Sequence, residues 1–88
     1  MYTFLVAYDL RDDWSDEHYE RVGDAIKSCG VAAEAEKSVW LLRSRLTAKE
    51  ILPVIEEELD NRDRILVIEV VHHWGHHKLM KGASDLLP

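Results

Sequence analysis

One cysteine, two prolines, four glycines and a single phenylalanine stand in a chain of 88 residues. The lone Cys29 excludes an internal disulfide framework and fits a reducing compartment, so a cytoplasmic location is expected. No apolar run approaches the roughly 18 residues of a transmembrane helix, and no membrane partner is expected. The N-terminus reads as a strand without the basic flank and cleavage site of a signal peptide. Repeats, low-complexity tracts and internal linkers are absent too, which leaves one domain. Basic charge is in deficit: 11 Lys and Arg against 17 Asp and Glu give a net charge of -6. That balance excludes loose, charge-driven binding to RNA or DNA. A nucleic-acid contact would need a local basic patch or a bridging divalent ion. A chain this short buries only about two-thirds of its unfolded surface and is marginal alone. Oligomerisation is a common remedy at this size.

What is present is a clear alternation of elements. Residues 2–9 are a run of β-formers that stops at Asp9. Arg11-Asp12-Asp13-Trp14 is a polar loop, and Ser15 or Asp16 can cap a helix. That helix places Tyr19, Val22, Ile26 and Cys29 on one face and stops at Gly30. Residues 31–36 form a weak strand, and Lys37 to Arg43 a stronger one built on Val39, Trp40, Leu41 and Leu42. Thr47-Ala48-Lys49-Glu50 has the form of a capping box, opening a helix with Ile51, Ile55 and Leu59 on one face. Pro53 should kink that helix or delay its start. Asp60-Asn61-Arg62-Asp63 is a turn, and Arg64 to Val71 a last strand. The order βαββαβ predicts an α+β, ferredoxin-like split-βαβ domain over residues 1–71 with a four-stranded antiparallel sheet. Residues 72–88 form a His-rich C-terminal tail.

The strands are apolar on both sides. Phe4 and Val6 alternate with Leu5 and Ala7, and residues 39–42 and 65–71 are apolar on both faces apart from Glu69. Two helices cover one face only, so the second needs a cover. A second copy of the chain stacked sheet to sheet supplies it, giving a homodimer. The tail folding back over the sheet is the alternative.

Several residues carry candidate chemistry. Asp9, at a sheet rim, suits a hard metal such as magnesium, which takes one or two protein carboxylates and keeps several waters. Such an ion can orient water and offset phosphodiester charge. The plain alternative is a strand-ending carboxylate. His72, His73, His76 and His77 would pair by helical spacing and could bind zinc or nickel if further ligands converged. Gly75 weakens that helix, and an exposed or interface tail is the competing reading. Trp40 reads as core, whereas Trp14 and Trp74 are freer to stack or to seal a dimer. Arg11, Arg43 and Arg45, with Arg62 and Arg64, fall near strand ends or connections, where they either cluster into a nucleic-acid-binding patch or scatter. Cys29 reads as a small buried hydrophobe.

The motifs Tyr8-Asp9-Leu10, Ala25-Ile26-Lys27-Ser28-Cys29-Gly30, Ser38-Val39-Trp40 and Asp60-Asn61-Arg62-Asp63-Arg64 resemble the small CRISPR-associated adaptation nucleases. They also resemble the VapD-like toxins and SinR-like proteins. The SinR-like branch looks closest, through Ser38-Val39-Trp40-Leu41 and Trp74-Gly75. The resemblance covers about residues 2–71, and its motifs are short and mostly structural. It implies a ferredoxin-like homodimer of antiviral-defence type. It further implies a metal-dependent endonuclease in which the aspartate ending strand one comes from both subunits and holds magnesium or manganese. Asp9 matches that aspartate, and Ser38 the family's serine in strand three. The acidic balance and the His-rich tail depart from the adaptation nucleases. A catalytically inactive dimeric interaction module in a defence, toxin–antitoxin or mobile-element setting, with a protein partner, is the rival expectation.

Overall fold

The computed structural model describes residues 1–10 and 16–88. The loop and cap expected at residues 11–15, with Arg11 and Trp14, lie outside the described residues. The elements are β1 (Tyr2–Asp9), α1 (Asp16–Ser28), β2 (Val31–Glu36), β3 (Val39–Ser44), α2 (Ala48–Glu56) and β4 (Arg64–Glu69), with a short 3-10 turn at Ser84–Leu86. The four strands form one sheet in the order β2-β3-β1-β4, each neighbouring pair antiparallel. The architecture is a small α+β fold, consistent with the ferredoxin-like plan.

Local chemistry accounts for the element ends. Thr47 closes the expected capping box: its hydroxyl accepts from the Glu50 N–H, and Glu50 Oε1 accepts from the Thr47 N–H at 2.9 Å. α2 therefore starts at Ala48 without the expected delay and runs on through Pro53. Pro53 lies on the exposed side of the helix. Gly30 follows α1 for a different reason from the expected one. A side chain there would collide with the Arg43 backbone carbonyl, so the glycine permits a close approach to β3. The third strand starts at Val39 and not at the expected Lys37, because Lys37 and Ser38 form the β2–β3 turn. Ser38 takes a left-handed backbone with φ of 63°.

The two faces of the sheet are covered differently. On the helix side, Phe4, Val6, Trp40 and Leu42 pack with Val22 and Ile26 of α1 and Ile51 and Ile55 of α2. The last four, with Val6 and Leu42, are fully buried, each worth about 1.5–3 kcal/mol of apolar transfer. On the other side, residues 72–88 fold back over their own sheet. Ala83 and Leu86 bury against Ala35 and Leu41, flanked by Leu5, Val39, Leu79 and Leu87. The strap is tied down by polar contacts. Met80 N–H donates to the Ala35 carbonyl at 3.0 Å, and the Thr3 hydroxyl donates to the Leu86 carbonyl at 3.2 Å. The strap stops short of β4, where Leu66 and Ile68 remain 55% and 52% exposed.

Candidate functional site

Asp9 ends β1 as an exposed side chain opposite Arg64, the first residue of β4, in the β1–β4 ladder. The strand terminates in an acid, and the next strand begins with a base. In an antiparallel pair such residues stand side by side. Ala7, Tyr8, Asp9, Arg64, Ile65 and Leu66 line an open cleft of about 260 Å³. Among the described residues its charge is one carboxylate and one guanidinium, and the rest of its lining is largely apolar. Ser38 lies on the neighbouring side of β1, where its carbonyl accepts the Tyr8 N–H at 3.1 Å, one residue before Asp9. Asp9, Ser38 and Arg64 thus share one end of the sheet.

Two of the other expected cations, Arg43 and Arg45, lie at the far end of the sheet. Arg43 pairs with Thr3 in the ladder, six residues from Asp9, or about 20 Å at ~3.3 Å per residue. Its Nη2 donates to the Asp85 carbonyl at 3.2 Å, so Arg43 anchors the strap. Arg45 is exposed just past the end of β3, beside Arg43. The residue next to Asp9 in space is Arg64, which sequence reasoning named only within a list of strand-end arginines. The signal was the pairing of a strand that ends in Asp with one that starts in Arg.

His72, His73, His76 and His77 are all exposed on irregular backbone, so the helical pairing of the four does not form. Trp74 stacks on His76 with ring centroids 6.0 Å apart, and its indole N–H donates to the Pro88 carbonyl at 3.1 Å. These contacts fasten the strap to itself. Among the described residues no three His, Cys, Asp or Glu side chains converge on a common point. Cys29 is buried, and burial pushes its thiol above the ordinary value against a hydrogen bond with Ser28. That disfavours a reactive thiolate. No helix among the described residues is long and apolar enough to cross a membrane.

On the helix side, Trp40 Nε1 donates to the Tyr8 hydroxyl at 3.1 Å. Burial raises the Tyr8 pKa, the Trp40 hydrogen bond opposes this, and the Glu34 carboxylate adds to the rise. Tyr8 therefore stays a neutral phenol at physiological pH. His18 is a second buried polar residue that periodicity did not single out. It sits 3% exposed on α1 with Nε2 3.6 Å from the Asp63 carboxylate, joining the helix to the turn before β4. A scan of the sequence against models of known protein families gives no match.

Proposed function

We propose that the chain acts as a homodimeric, metal-dependent endonuclease on RNA or DNA, of the CRISPR-adaptation, VapD-like and SinR-like kind. The observation that carries this reading is the juxtaposition of Asp9 and Arg64 at an exposed cleft. A phosphodiester site needs an oxygen donor for a hard cation and a cationic group for the phosphate. Asp9 supplies the first and Arg64 the second. One carboxylate per chain suffices if two copies each contribute Asp9, because magnesium or manganese keeps most of its own waters. When bound, such an ion offsets phosphate charge and orients water. Ser38 fixes the neighbouring turn through its carbonyl. Arg43 and Arg45, at the far end of β3, would meet only a longer strand.

The second copy would lie against the uncovered part of the sheet face, where Leu66 lines the Asp9 cleft and Ile68 follows it along β4. Exposed apolar side chains beside a candidate site favour a partner there. The same patch supports the second reading, a non-catalytic dimeric interaction module in a defence or toxin–antitoxin setting.

The discriminating experiment is cleavage of labelled single- and double-stranded RNA and DNA with magnesium, manganese or EDTA. Metal-dependent cleavage should fall at least a hundredfold in Asp9→Ala and at least tenfold in Arg64→Ala. Cleavage unchanged in Asp9→Ala, or absent from the wild type under every condition, favours the interaction module.

A further inference from the structure

The strap and the sheet leave between them a cavity of about 150 Å³ that neither fills. Leu5, Val39 and Leu41 of the sheet form its floor, and Leu79 and Leu87 of the strap form its roof. Leu5, Val39, Leu79 and Leu87 stay only partly buried although the strap crosses the sheet here, because the space between them is open. One side is aromatic. The Trp74 and His76 rings both line it, stacked 6.0 Å apart at an interplanar angle of 17°. Glu36, exposed at the end of β2, and the exposed His76 stand where the cavity meets solvent.

Water is a poor occupant, because an ordered buried water needs several polar partners. The strap has used polar groups close by. The Trp74 indole N–H donates to the Pro88 carbonyl, and the Ala35 carbonyl accepts from the Met80 N–H. Aliphatic walls that face an empty space lack contact atoms on one side, so an apolar guest that fills it recovers them. An apolar cavity of roughly 150 Å³ stays dry and admits a benzene-sized guest. The space is too small to take up a nucleotide or a long acyl chain.

Shape and charge narrow the guest further. The flat wall of Trp74 and His76 favours a ring over a branched alkane, since aromatic pairs gain beyond their buried area. The Glu36 carboxylate accepts hydrogen bonds and donates none, so it favours a donor at the mouth and repels an anion. We propose that this cavity binds an uncharged monocyclic arene with one hydroxyl donor, a small phenol. Its ring lies between the sheet and the Trp74–His76 pair, and its hydroxyl points to Glu36. The site shares no residue with the Asp9 cleft and stands whether or not the nuclease reading does.

The test is calorimetric titration of the full chain with p-cresol, with methyl NMR spectra to locate the guest. Two relatives of the probe serve beside it: p-toluate, an anion of similar shape, and 4-methylcyclohexanol, a saturated ring of similar size. p-Cresol should bind saturably, one per chain, at submillimolar concentration. It should move the methyl signals of Val39, Leu79 and Leu87 and leave those of Ile51 and Ile55 on the helix face in place. p-Toluate should bind at least tenfold more weakly, and 4-methylcyclohexanol several-fold more weakly. Glu36→Gln, at an exposed position, should narrow the preference over p-toluate. Val39→Phe, which fills the space from the sheet side, should abolish binding and raise the melting temperature. Trp74→Ala, also at an exposed position, should weaken binding at least tenfold at unchanged helical content, and it decides the site if Val39→Phe does not fold. Asp9→Ala should bind as the wild type does. The proposal is overturned by no saturable binding at millimolar p-cresol, by methyl shifts confined to the helix face, by equal affinity for p-toluate, or by unchanged affinity in Trp74→Ala.

Discussion

The two faces of the sheet are built from the same strands yet held by different means. Alternate residues of β1 and β3 send Phe4, Val6, Trp40 and Leu42 under the helices, and Leu5, Val39 and Leu41 toward the strap. The helix face is filled by two amphipathic elements that present rows of aliphatic side chains. The strap has no regular element beyond one short 3-10 turn and presents scattered ones, leaving a gap of about 150 Å³ beneath it. It also leaves the β4 portion open. Stability therefore resides on the helix face, and the capacity to associate on the other. This division places the Asp9 rim beside the uncovered portion.

The largest effect should come from the helix face. Ile26→Ala, at a fully buried position, should cost about 2–5 kcal/mol of unfolding free energy, because the close-packed neighbours cannot collapse into the space. Leu86→Ala on the strap should fall at the low end, about 2 kcal/mol, because the looser packing beneath it can relax. Denaturant titration of both variants checks the ordering. An equal or larger loss for Leu86→Ala would break the comparison.

A smaller effect sharpens it at the entry to α2. Thr47→Ala removes the cap and should cost about 1 kcal/mol in the same titration. The hydrogen bonds from the Thr47 backbone N–H and hydroxyl hold the Glu50 carboxyl below its ordinary value. A lowered carboxylate pKa stabilises the fold above the unfolded value, and that contribution disappears as pH falls through the lowered folded value. The melting-temperature difference between wild type and Glu50→Ala should therefore shrink as pH drops from neutral through the carboxylate range. At Ser38 a left-handed φ strains any residue with a Cβ. Ser38→Gly should raise stability by up to about 1 kcal/mol, while Ser38→Ala should not. If both variants retain cleavage, Ser38 serves the turn, not the chemistry.

The regular elements were legible because local signals agreed. β1 spans residues 2–9 as its run of β-formers indicated, and Val22 and Ile26 of α1 bury as their spacing required. The Thr47 box marked the start that α2 takes, although Pro53 had suggested a delay. The break at Lys37 and Ser38 escaped notice because no glycine or asparagine marks the left-handed position. The strap's course was open in the sequence, since residues 72–88 lack periodicity and their docking depends on long-range contacts such as Thr3 to Leu86. Similarly, the partner of Asp9 followed from strand pairing, which joins residues 55 positions apart.

The account depends most on what covers Leu66 and Ile68. Neither is buried, so Leu66→Lys/Ile68→Lys should leave the monomer's unfolding free energy within about 0.5 kcal/mol. Sedimentation equilibrium of the wild type beside this variant is the most direct measurement. A wild-type dimer that becomes monomeric in the variant, at unchanged helical content, is the expected result. A wild type that stays monomeric at high concentration, or a dimer unaffected by the two lysines, would contradict the assignment of this surface to self-association.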